Sequence, residues 1–238
     1  IPNGYIHAMI DSHAHLDFPQ FDSDRNIVIQ KAFQNGIKAI VNIGTDLATS
    51  KSSGELASRY ENIYASVGIH PHDAQNCPND YILQIEKIAK RESAAKSKIV
   101  AIGEIGLDYY RDLSPRDIQR KVFREQIDLA LRLNLPVVVH IREAMDDALR
   151  ILVESGIRRG VLHSFPGNID EALQAIKSGF YISFAGPITY PKSTRASVAV
   201  SLPLSRILTE TDCPYLSPQV SRGKRNSPEN VRYVVDKL

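Results

Sequence analysis

Short apolar runs rich in β-branched residues recur along the chain and alternate with segments that show a helical repeat of apolar positions. In segment 117–133, apolar side chains recur at the three- and four-residue spacing of one helix face. The runs KAIVNIG and PVVVHIR are continuously apolar, as is typical of parallel strands covered on both faces. This pattern predicts eight strands, at roughly Ala8–Asp11, Lys38–Ile43, Ile63–Ile69, Ile99–Glu104, Val137–His140, Gly160–His163, Tyr181–Phe184 and Arg206–Glu210.

Eight strands that alternate with helices form either a closed parallel barrel or a doubly wound open sheet. The chain has 238 residues, and a single (β/α)₈ barrel typically needs about 250. Polar side chains of metal-binding type stand at or just after the carboxyl ends of five predicted strands. A barrel gathers such ends at one face, whereas an open sheet spreads them over a wide crevice. We therefore predict an α/β protein, a single-domain (β/α)₈ barrel of the TIM-like type.

The two ends of the chain are expected to differ from those of the natural protein. Met9 opens the segment MIDSHAHL, so we expect residues 1–8 to be an artificial leader and the barrel to occupy residues 9–238. The last residues, NVRYVVDKL, have the pattern of an amphipathic helix but reach neither a cap nor a glycine. We expect the natural barrel to continue beyond Leu238.

Composition narrows the class of protein. Lys plus Arg number 29 and Asp plus Glu number 27, so any site for a polyanion has to be local. No apolar run approaches the roughly 20 residues that cross a bilayer, and the first residues lack the pattern of a signal peptide. The only cysteines are Cys77 and Cys213, which gives no disulfide framework. We therefore expect a cytoplasmic protein with no membrane contact and no obligate protein partner.

The first predicted strand leads into the sequence DSHAHL. Its His13 and His15 are two positions apart, so on a strand both face the same side. Such a pair alone is a weak signal, and a single strand-end histidine is more often a satisfied core residue. A carboxylate buried at a strand end is costly unless it is paired or metal-bound. The candidates fall in step with the strand count, which favours a metal site built from His13, His15, Glu104, His140, His163 and Asp212.

All six candidate ligands offer nitrogen or oxygen, a set that suits Zn²⁺, Mn²⁺ or Mg²⁺. Six ligands are too many for one tetrahedral ion that keeps an open position, so we expect two divalent ions. Glu104 is the expected bridge because it can give one oxygen to each ion. Asp212 is the expected catalytic base because it can both touch a metal and take a proton from water. Cys213, beside it, is interpreted as a packing residue.

Several motifs together resemble those of the TatD-type deoxyribonucleases, a branch of the amidohydrolase-like metal-dependent barrels. The resemblance covers essentially the whole chain, and it implies metal-dependent, exonucleolytic cleavage of phosphodiester bonds in DNA, with metals held at the same six positions. Departures are the missing C-terminal helical segment and the loops at 161–167 and 184–189, which bear on substrate preference. The matching motifs are IDSHAHLD at 10–17, VGIHPHDA at 67–74, AIGEIGLDYY at 101–110, PVVVHIREAMDD at 136–147, ETDCPYLSP at 210–218 and RGKRNSPENV at 222–231.

Residues around the predicted barrel mouth are candidates for substrate binding. His70 follows the third strand, and we expect it to contact a phosphate or the leaving group, whereas His72 is expected to belong to a polar turn. Arg142 lies two residues past His140, and its planar fork suits a bidentate phosphate contact. An ion pair between Arg142 and Asp146 is the alternative.

A dense basic cluster follows the last strand, at Arg222, Lys224 and Arg225. Such a cluster is often only solvated surface, but the resemblance favours contact with a DNA backbone. Asp108 is a weaker candidate, as a residue that orients a neighbouring ligand. Aromatic residues of the mouth loops either stack on unpaired bases or simply pack the loops: Tyr109, Phe165, Tyr190 and Tyr215.

The expected reaction is hydrolysis of DNA. Two divalent ions hold the scissile phosphate, Asp212 takes a proton from the attacking water, and Arg142 and His70 stabilise the developing charge. One alternative is a barrel hydrolase of a small ester, lactone or amide. Those relatives often bridge their metals with a modified lysine, and Glu104 at the corresponding strand end counts against them. The other alternative is an inactive binding module, against which the intact ligand set counts.

Overall fold

The computed structural model describes residues 8–91 and 98–238. The leader expected at residues 1–8 therefore lies outside the described residues except for Ala8. The strands are β1 (Met9–Ala14), β2 (Ile37–Ile43), β3 (Ile63–Val67), β4 (Ile99–Asp108), β5 (Val137–Arg142), β6 (Gly160–Leu162), β7 (Tyr181–Phe184) and β8 (Ile207–Thr209). The α-helices are α1 (Arg25–Gln34), α2 (Leu47–Arg59), α3 (Tyr81–Arg91), α4 (Arg116–Leu133), α5 (Met145–Glu154), α6 (Ile169–Lys177), α7 (Arg195–Ala199) and α8 (Val231–Val235).

The eight strands are parallel and lie side by side in the order of the chain, β1 to β8. The segment after β8 returns to β1, where Ala14 and Cys213 form a parallel bridge. Two backbone hydrogen bonds strengthen this closure: the amide of Asp212 donates to the His13 carbonyl and the amide of His15 donates to the Cys213 carbonyl, both at 2.8 Å. The predicted (β/α)₈ barrel is confirmed.

Two apolar layers hold the barrel together. Between the strands and the helices lies a large buried cluster, to which α4 contributes Val122, Phe123, Ile127 and Ala130. These are positions of the helical repeat that predicted a helix at 117–133. A small second cluster of mainly branched side chains fills the barrel interior, as in other barrels of this type. It comprises Ile43, Ala101, Val138 and Val161, with Val41 and Leu208 against it.

The strand predictions differ from the structure mainly at the mouth. β4 was expected to end at Glu104 but continues to Asp108. Gly106 permits this extension because a Cβ at that position would collide with the carbonyl of His140 on β5. As a result Asp108 pairs with Arg142 in the parallel register, and a further buried carboxylate reaches the mouth.

The amphipathic segment at the end of the chain forms α8, whose Val231 and Val234 are buried. Within the described residues, no helix has the length and apolarity that would let it cross a membrane.

Candidate metal centre

The carboxyl ends of the strands bring the six predicted metal ligands into two groups. In the first group, the Nε2 atoms of His13 and His15 lie 3.2 Å apart. Oε2 of Glu104 is 3.4 Å from Nε2 of His13, and Oδ1 of Asp212 is 3.3 Å from Nε2 of His15. Four donor atoms from β1, the residue that follows it, β4 and the segment after β8 thus converge on one point.

The second group forms on the other oxygen of the same carboxylate. Oε1 of Glu104 is 3.0 Å from Nδ1 of His140 and 3.0 Å from Nε2 of His163. These two ring nitrogens are themselves 3.4 Å apart. Glu104 therefore faces one group of donors with each of its oxygens.

The distances within both groups fit a divalent cation. Ligand atoms about 2.0–2.1 Å from a tetrahedral ion lie roughly 3.3 Å from one another. The three Oε1 and ring-nitrogen distances of the second group run from 3.0 to 3.4 Å. In the first group, the Nε2 atoms of the two histidines lie 3.2 Å from each other and 3.3 to 3.8 Å from Oε2 of Glu104 and Oδ1 of Asp212. Nitrogen and carboxylate donors at this spacing suit Zn²⁺, Mn²⁺ or Mg²⁺.

Hydrogen bonds behind the ligands determine which ring nitrogens face the groups. Nδ1 of His15 donates to the Ile43 carbonyl at 3.1 Å, and Nδ1 of His163 donates to Glu210 at 3.2 Å. In a neutral ring the other nitrogen then carries the lone pair. Both Nε2 atoms are therefore free to bind a metal, and the partners that fix the tautomer also fix the ring orientation.

Asp108 does the same for His140. Its Oδ2 accepts hydrogen bonds from Nε2 of His140 at 3.1 Å and from Nε2 of His72 at 2.8 Å. Burial raises the pKa of Asp108, but the bonds from His140 and His72 outweigh it and hold the pKa below its usual range. The structure thus agrees with the expectation that Asp108 orients a ligand, and it places His72 in the same hydrogen-bond network.

Sequence reasoning missed Glu210, which is fully buried behind His163. Its Oε1 accepts the backbone N–H of Ser164 at 2.7 Å, and its Oε2 accepts the hydroxyl of Ser183. The signal was present, because Glu210 ends an apolar strand in ILTETD just as Glu104 ends one in VAIGE. Asp11, within the DSHAHL motif, is another buried carboxylate that was not predicted as a site residue. It accepts the amide and hydroxyl of Thr211, and burial raises its pKa to about 7.

The carboxylate of Asp212 turns into the mouth through an unusual backbone conformation. Its φ of 56° lies in the left-handed region, which Asp enters more readily than most residues. Burial raises the pKa of Asp212, but the hydrogen bond from His15 and the charge of His13 outweigh this effect. The net shift of the pKa is downward. The group is therefore ionised and able to accept a proton.

His70 lies close to the second group, but its Nε2 is a hydrogen-bond donor and not a metal ligand. Its Nδ1 accepts the backbone N–H of His72 at 3.2 Å, so the neutral ring carries its proton on Nε2. That Nε2 is 3.5 Å from Oε1 of Glu104. Burial holds the pKa of His70 well below its usual value, which keeps the ring neutral. A protonated Nε2 cannot bind a metal, but it can donate to a carboxylate or phosphate oxygen.

Five of the six candidate ligands, all except His13, line a cavity of about 540 Å³. Arg142 lines it as expected, and so does Arg111, which sequence reasoning did not select. The alternative ion pair between Arg142 and Asp146 is absent from the described residues. The guanidinium of Arg142 stacks instead on the Tyr110 ring, 3.8 Å from its centroid.

The predicted basic cluster lies away from this cavity. None of its three residues is among the described residues that line it. Arg225 donates to both oxygens of Asp24, at 2.9 and 2.6 Å, and so has a structural partner. Arg222 lies over the Tyr190 ring at 4.5 Å, whereas the ammonium group of Lys224 has no partner among the described residues. Arg222 and Lys224 are therefore freer than Arg225 to contact a phosphate.

The four aromatic candidates also differ in whether they line the cavity or are held by other residues. Tyr215 lines the cavity and is 49% exposed. Phe165 is fully buried in the core, which excludes stacking on bases and agrees with the alternative that it packs. The hydroxyls of Tyr109 and Tyr190 donate to Asp147 and to the Ser217 carbonyl. Phe18, which sequence reasoning missed, lines the cavity with its ring 4.6 Å from that of His15.

A parallel barrel with nitrogen and carboxylate donors gathered at its carboxyl-end face is the architecture of a metal-dependent hydrolase. The family model described as "TatD related DNase" matches residues 10–238. The chain therefore belongs to the TatD family of metal-dependent hydrolases, as the resemblance of its motifs indicated.

Similar proteins are known from several bacteria. The uncharacterized metal-dependent hydrolase YabD of Bacillus subtilis is 41% identical over 233 residues, which are 97% of this chain and 89% of that protein. A Shigella flexneri protein named 3'-5' ssDNA/RNA exonuclease TatD is 30% identical over 241 residues, 97% of this chain and 90% of its own. The crystal structure of the TatD homolog YjjV from Escherichia coli has a TM-score of 0.91 at 34% identity, covering 98% of this chain and 89% of that one.

Proposed function

We propose that the protein hydrolyses phosphodiester bonds of DNA from a strand end, with two divalent ions at the donor groups. The observation that carries this proposal is Glu104, whose two oxygens each face a separate group of donors. Two ions about 3.5–4 Å apart are a common arrangement in phosphoester hydrolysis. The name of the Shigella relative, an exonuclease for single-stranded DNA and RNA, supports the substrate.

Each donor group would bind one ion. His13, His15 and Asp212 would hold one ion and His140 and His163 the other, with Glu104 between them. When bound, the ions would supply the Lewis acidity that polarises a phosphoryl oxygen, a role open to Mg²⁺, Mn²⁺ or Zn²⁺.

The protein's own side chains move protons and orient the site. Asp212, which is ionised, takes the proton of the attacking water as general base. His70 donates from Nε2 to an oxygen on which negative charge develops, and it is suited to this because its Nδ1 is already used. Asp108 and Glu210 keep His140 and His163 in the required tautomers.

Two other functions fit the cavity less well. A hydrolase of small neutral esters, lactones or amides has no use for cations at the rim, and here Arg111 and Arg142 line the cavity. An inactive binding module has no need of a complete ligand set with fixed tautomers. Hydrolysis of a neutral ester in preference to any phosphodiester would favour the first of these alternatives.

Removal of metal is expected to abolish turnover. In the proposed reaction a bound cation polarises the phosphoryl oxygen, so chelated protein should lose hydrolysis of labelled single- and double-stranded DNA. Readdition of Mg²⁺, Mn²⁺ or Zn²⁺ singly should restore it and identify the effective ion. A melting curve of the chelated protein is the control for folding. Full activity in protein shown by metal analysis to be free of metal would contradict the proposal.

The loop after β8 is expected to make a salt-dependent contact with the DNA backbone. Replacement of Arg222 and Lys224 by glutamine should reduce the slope of log binding constant against log salt by about 0.7 per lost contact on single strands. Binding is measured in an Asp212→Asn background to prevent cleavage. Arg225→Gln is the matched control, because its guanidinium is held by Asp24. An unchanged slope in the double variant would exclude this loop as a DNA contact.

A further inference from the structure

Two guanidinium groups stand at the rim of the metal cavity, and the proposed reaction at the scissile phosphate does not account for them. Arg111 and Arg142 line the cavity, and they are its only Lys or Arg side chains within residues 8–91 and 98–238. Arg111 follows the carboxyl end of β4 and Arg142 is the last residue of β5, and these strands lie across the barrel from β1 and β8. They therefore lie on the opposite side of the mouth from Arg222 and Lys224.

The guanidinium groups of Arg111 and Arg142 have no carboxylate partner in the part of the chain that the structure describes. This distinguishes them from the next arginines along the chain, since Arg116 and Arg120 each form an ion pair with an aspartate. Two unpaired cations that face one cavity repel each other and are stabilised by an anion between them. A phosphate matches both the charge and the hydrogen-bonding geometry of a guanidinium fork.

The orientation of Arg142 is fixed without use of its hydrogen-bond donors. Its guanidinium stacks on the Tyr110 ring at 3.8 Å, and such stacking leaves the N–H groups at its edge free. Arg142 is also one pleat, about 7 Å, further along β5 than His140. Because Tyr110 follows the end of β4, the stack holds the guanidinium at the rim rather than at the level of the donor groups.

Asp108 links this rim to the metal centre. Its Oδ1 accepts the backbone N–H of Tyr110 at 3.1 Å and that of Arg111 at 2.8 Å. Its Oδ2 accepts Nε2 of His140. One buried carboxylate thus fixes both a metal-ligand candidate and the turn that carries Tyr110 and Arg111, so the distance from rim to metal centre is set by direct contacts.

We propose that Arg111 and Arg142 form a second phosphate site, which binds the phosphate next to the scissile one in the nucleic-acid strand. The site rests on the proposed nuclease function and deepens it, and it gives Arg142 a different role from stabilisation of charge at the scissile phosphate. The bound group is either the next phosphodiester or a terminal phosphate monoester. In both cases an oligonucleotide with two phosphates is a better substrate than one with a single phosphodiester.

Four thymidine substrates test the site with the metal-loaded protein. TpT has a single phosphodiester, TpTpT has a second one, and pTpT and TpTp carry a terminal phosphate at the 5' or the 3' end. In the wild type, at least one substrate with two phosphates should exceed TpT in kcat/KM by at least about tenfold, since hydrogen bonds to charged groups contribute about that much. The preferred substrate distinguishes a phosphodiester from a terminal phosphate and gives the direction of the strand.

Variants of the two arginines test the residues. In Arg111→Gln and Arg142→Gln the ratio of kcat/KM between the preferred substrate and TpT should fall toward one. Arg142→Lys keeps the charge but loses the planar fork, so its ratio should lie between those of the wild type and Arg142→Gln. The matched control is Arg132→Gln, at the far end of α4, which makes the same charge change on the other face and should keep the wild-type ratio. Metal content and melting temperature verify that each variant is folded and loaded.

The outcomes separate this inference from the function on which it rests. If the protein hydrolyses all four substrates but the wild type treats TpT like the others, the second phosphate site is wrong and the nuclease function stands. The same holds if the arginine variants lose an equal factor on every substrate. If labelled single-stranded DNA is cleaved but none of the four short substrates is, the second phosphate site is wrong and the nuclease function stands. If neither is hydrolysed with any of the three metals, both proposals fail.

Discussion

Asp212→Asn is expected to reduce the rate of DNA cleavage in a single turnover by about 10²–10⁴-fold, the usual contribution of a general base. Asparagine keeps an oxygen where Oδ1 now lies, 3.3 Å from Nε2 of His15. The amide oxygen can still face a metal, but it is far too weak a base to take a proton from water. Metal content should therefore stay close to that of the wild type while the chemical step slows.

The measurement pairs single-turnover kinetics with metal analysis of the same preparation. Glu86→Gln, at a half-buried carboxylate on α3 that pairs with Lys90 and Arg132, is a control for the loss of one negative charge. If Asp212→Asn cleaves DNA at the normal rate, another residue must be the base. A rate loss that follows metal loss in proportion would instead make Asp212 chiefly a ligand.

Glu104→Ala is expected to fail for a different reason. The substitution removes one oxygen from each donor group at once, so both groups lose a ligand. Loss of a partner behind a ligand already costs about 10–100-fold in metal affinity, and loss of the shared ligand should exceed this range. The variant as purified should contain little metal and show no measurable cleavage.

Titration with Mn²⁺ or Zn²⁺, followed by calorimetry, gives the affinity of each variant. Glu86→Ala is the matched control for truncation of a glutamate. Wild-type metal content in Glu104→Ala would show that the two groups do not depend on a common carboxylate. Asp212→Asn and Glu104→Ala thus have opposite signatures, one in rate and the other in metal affinity.

The metal-ligand candidates could be found from the sequence because the residue that ends a parallel strand has a predictable position in the fold. An apolar run that stops at His140 or Glu104 places that residue at the carboxyl-end face of any parallel barrel. The same rule applied to ILTETD would have found Glu210. It could not find that β4 continues to Asp108, because the extension depends on the close approach of Gly106 to β5, a contact between distant parts of the chain.

Side chains in loops were harder to predict because their partners come from remote segments. Arg225 in RGKRN has the local pattern of a DNA contact, yet its carboxylate partner, Asp24, is 201 residues away. Arg111 has no motif of its own, and its place at the cavity follows from the hydrogen bond between its amide and Asp108. Phe165 lies in a loop by sequence but is fully buried in the structure. Local pattern gives the chemistry of such residues but not their neighbours.

The closure of the barrel between His13 and Asp212 has a consequence for when the protein becomes active. Asp11 and Thr211, whose side chains bond across this seam, are 200 residues apart in sequence. The first donor group needs ligands from both sides of the seam, so a chain still emerging from the ribosome has no complete centre until its eighth strand is in place. Non-local closure of this kind is slow compared with local helix formation. If the protein is the proposed nuclease, a partly made chain would thereby be unable to cut nucleic acid, and the first donor group would bind a metal ion only when folding is nearly finished.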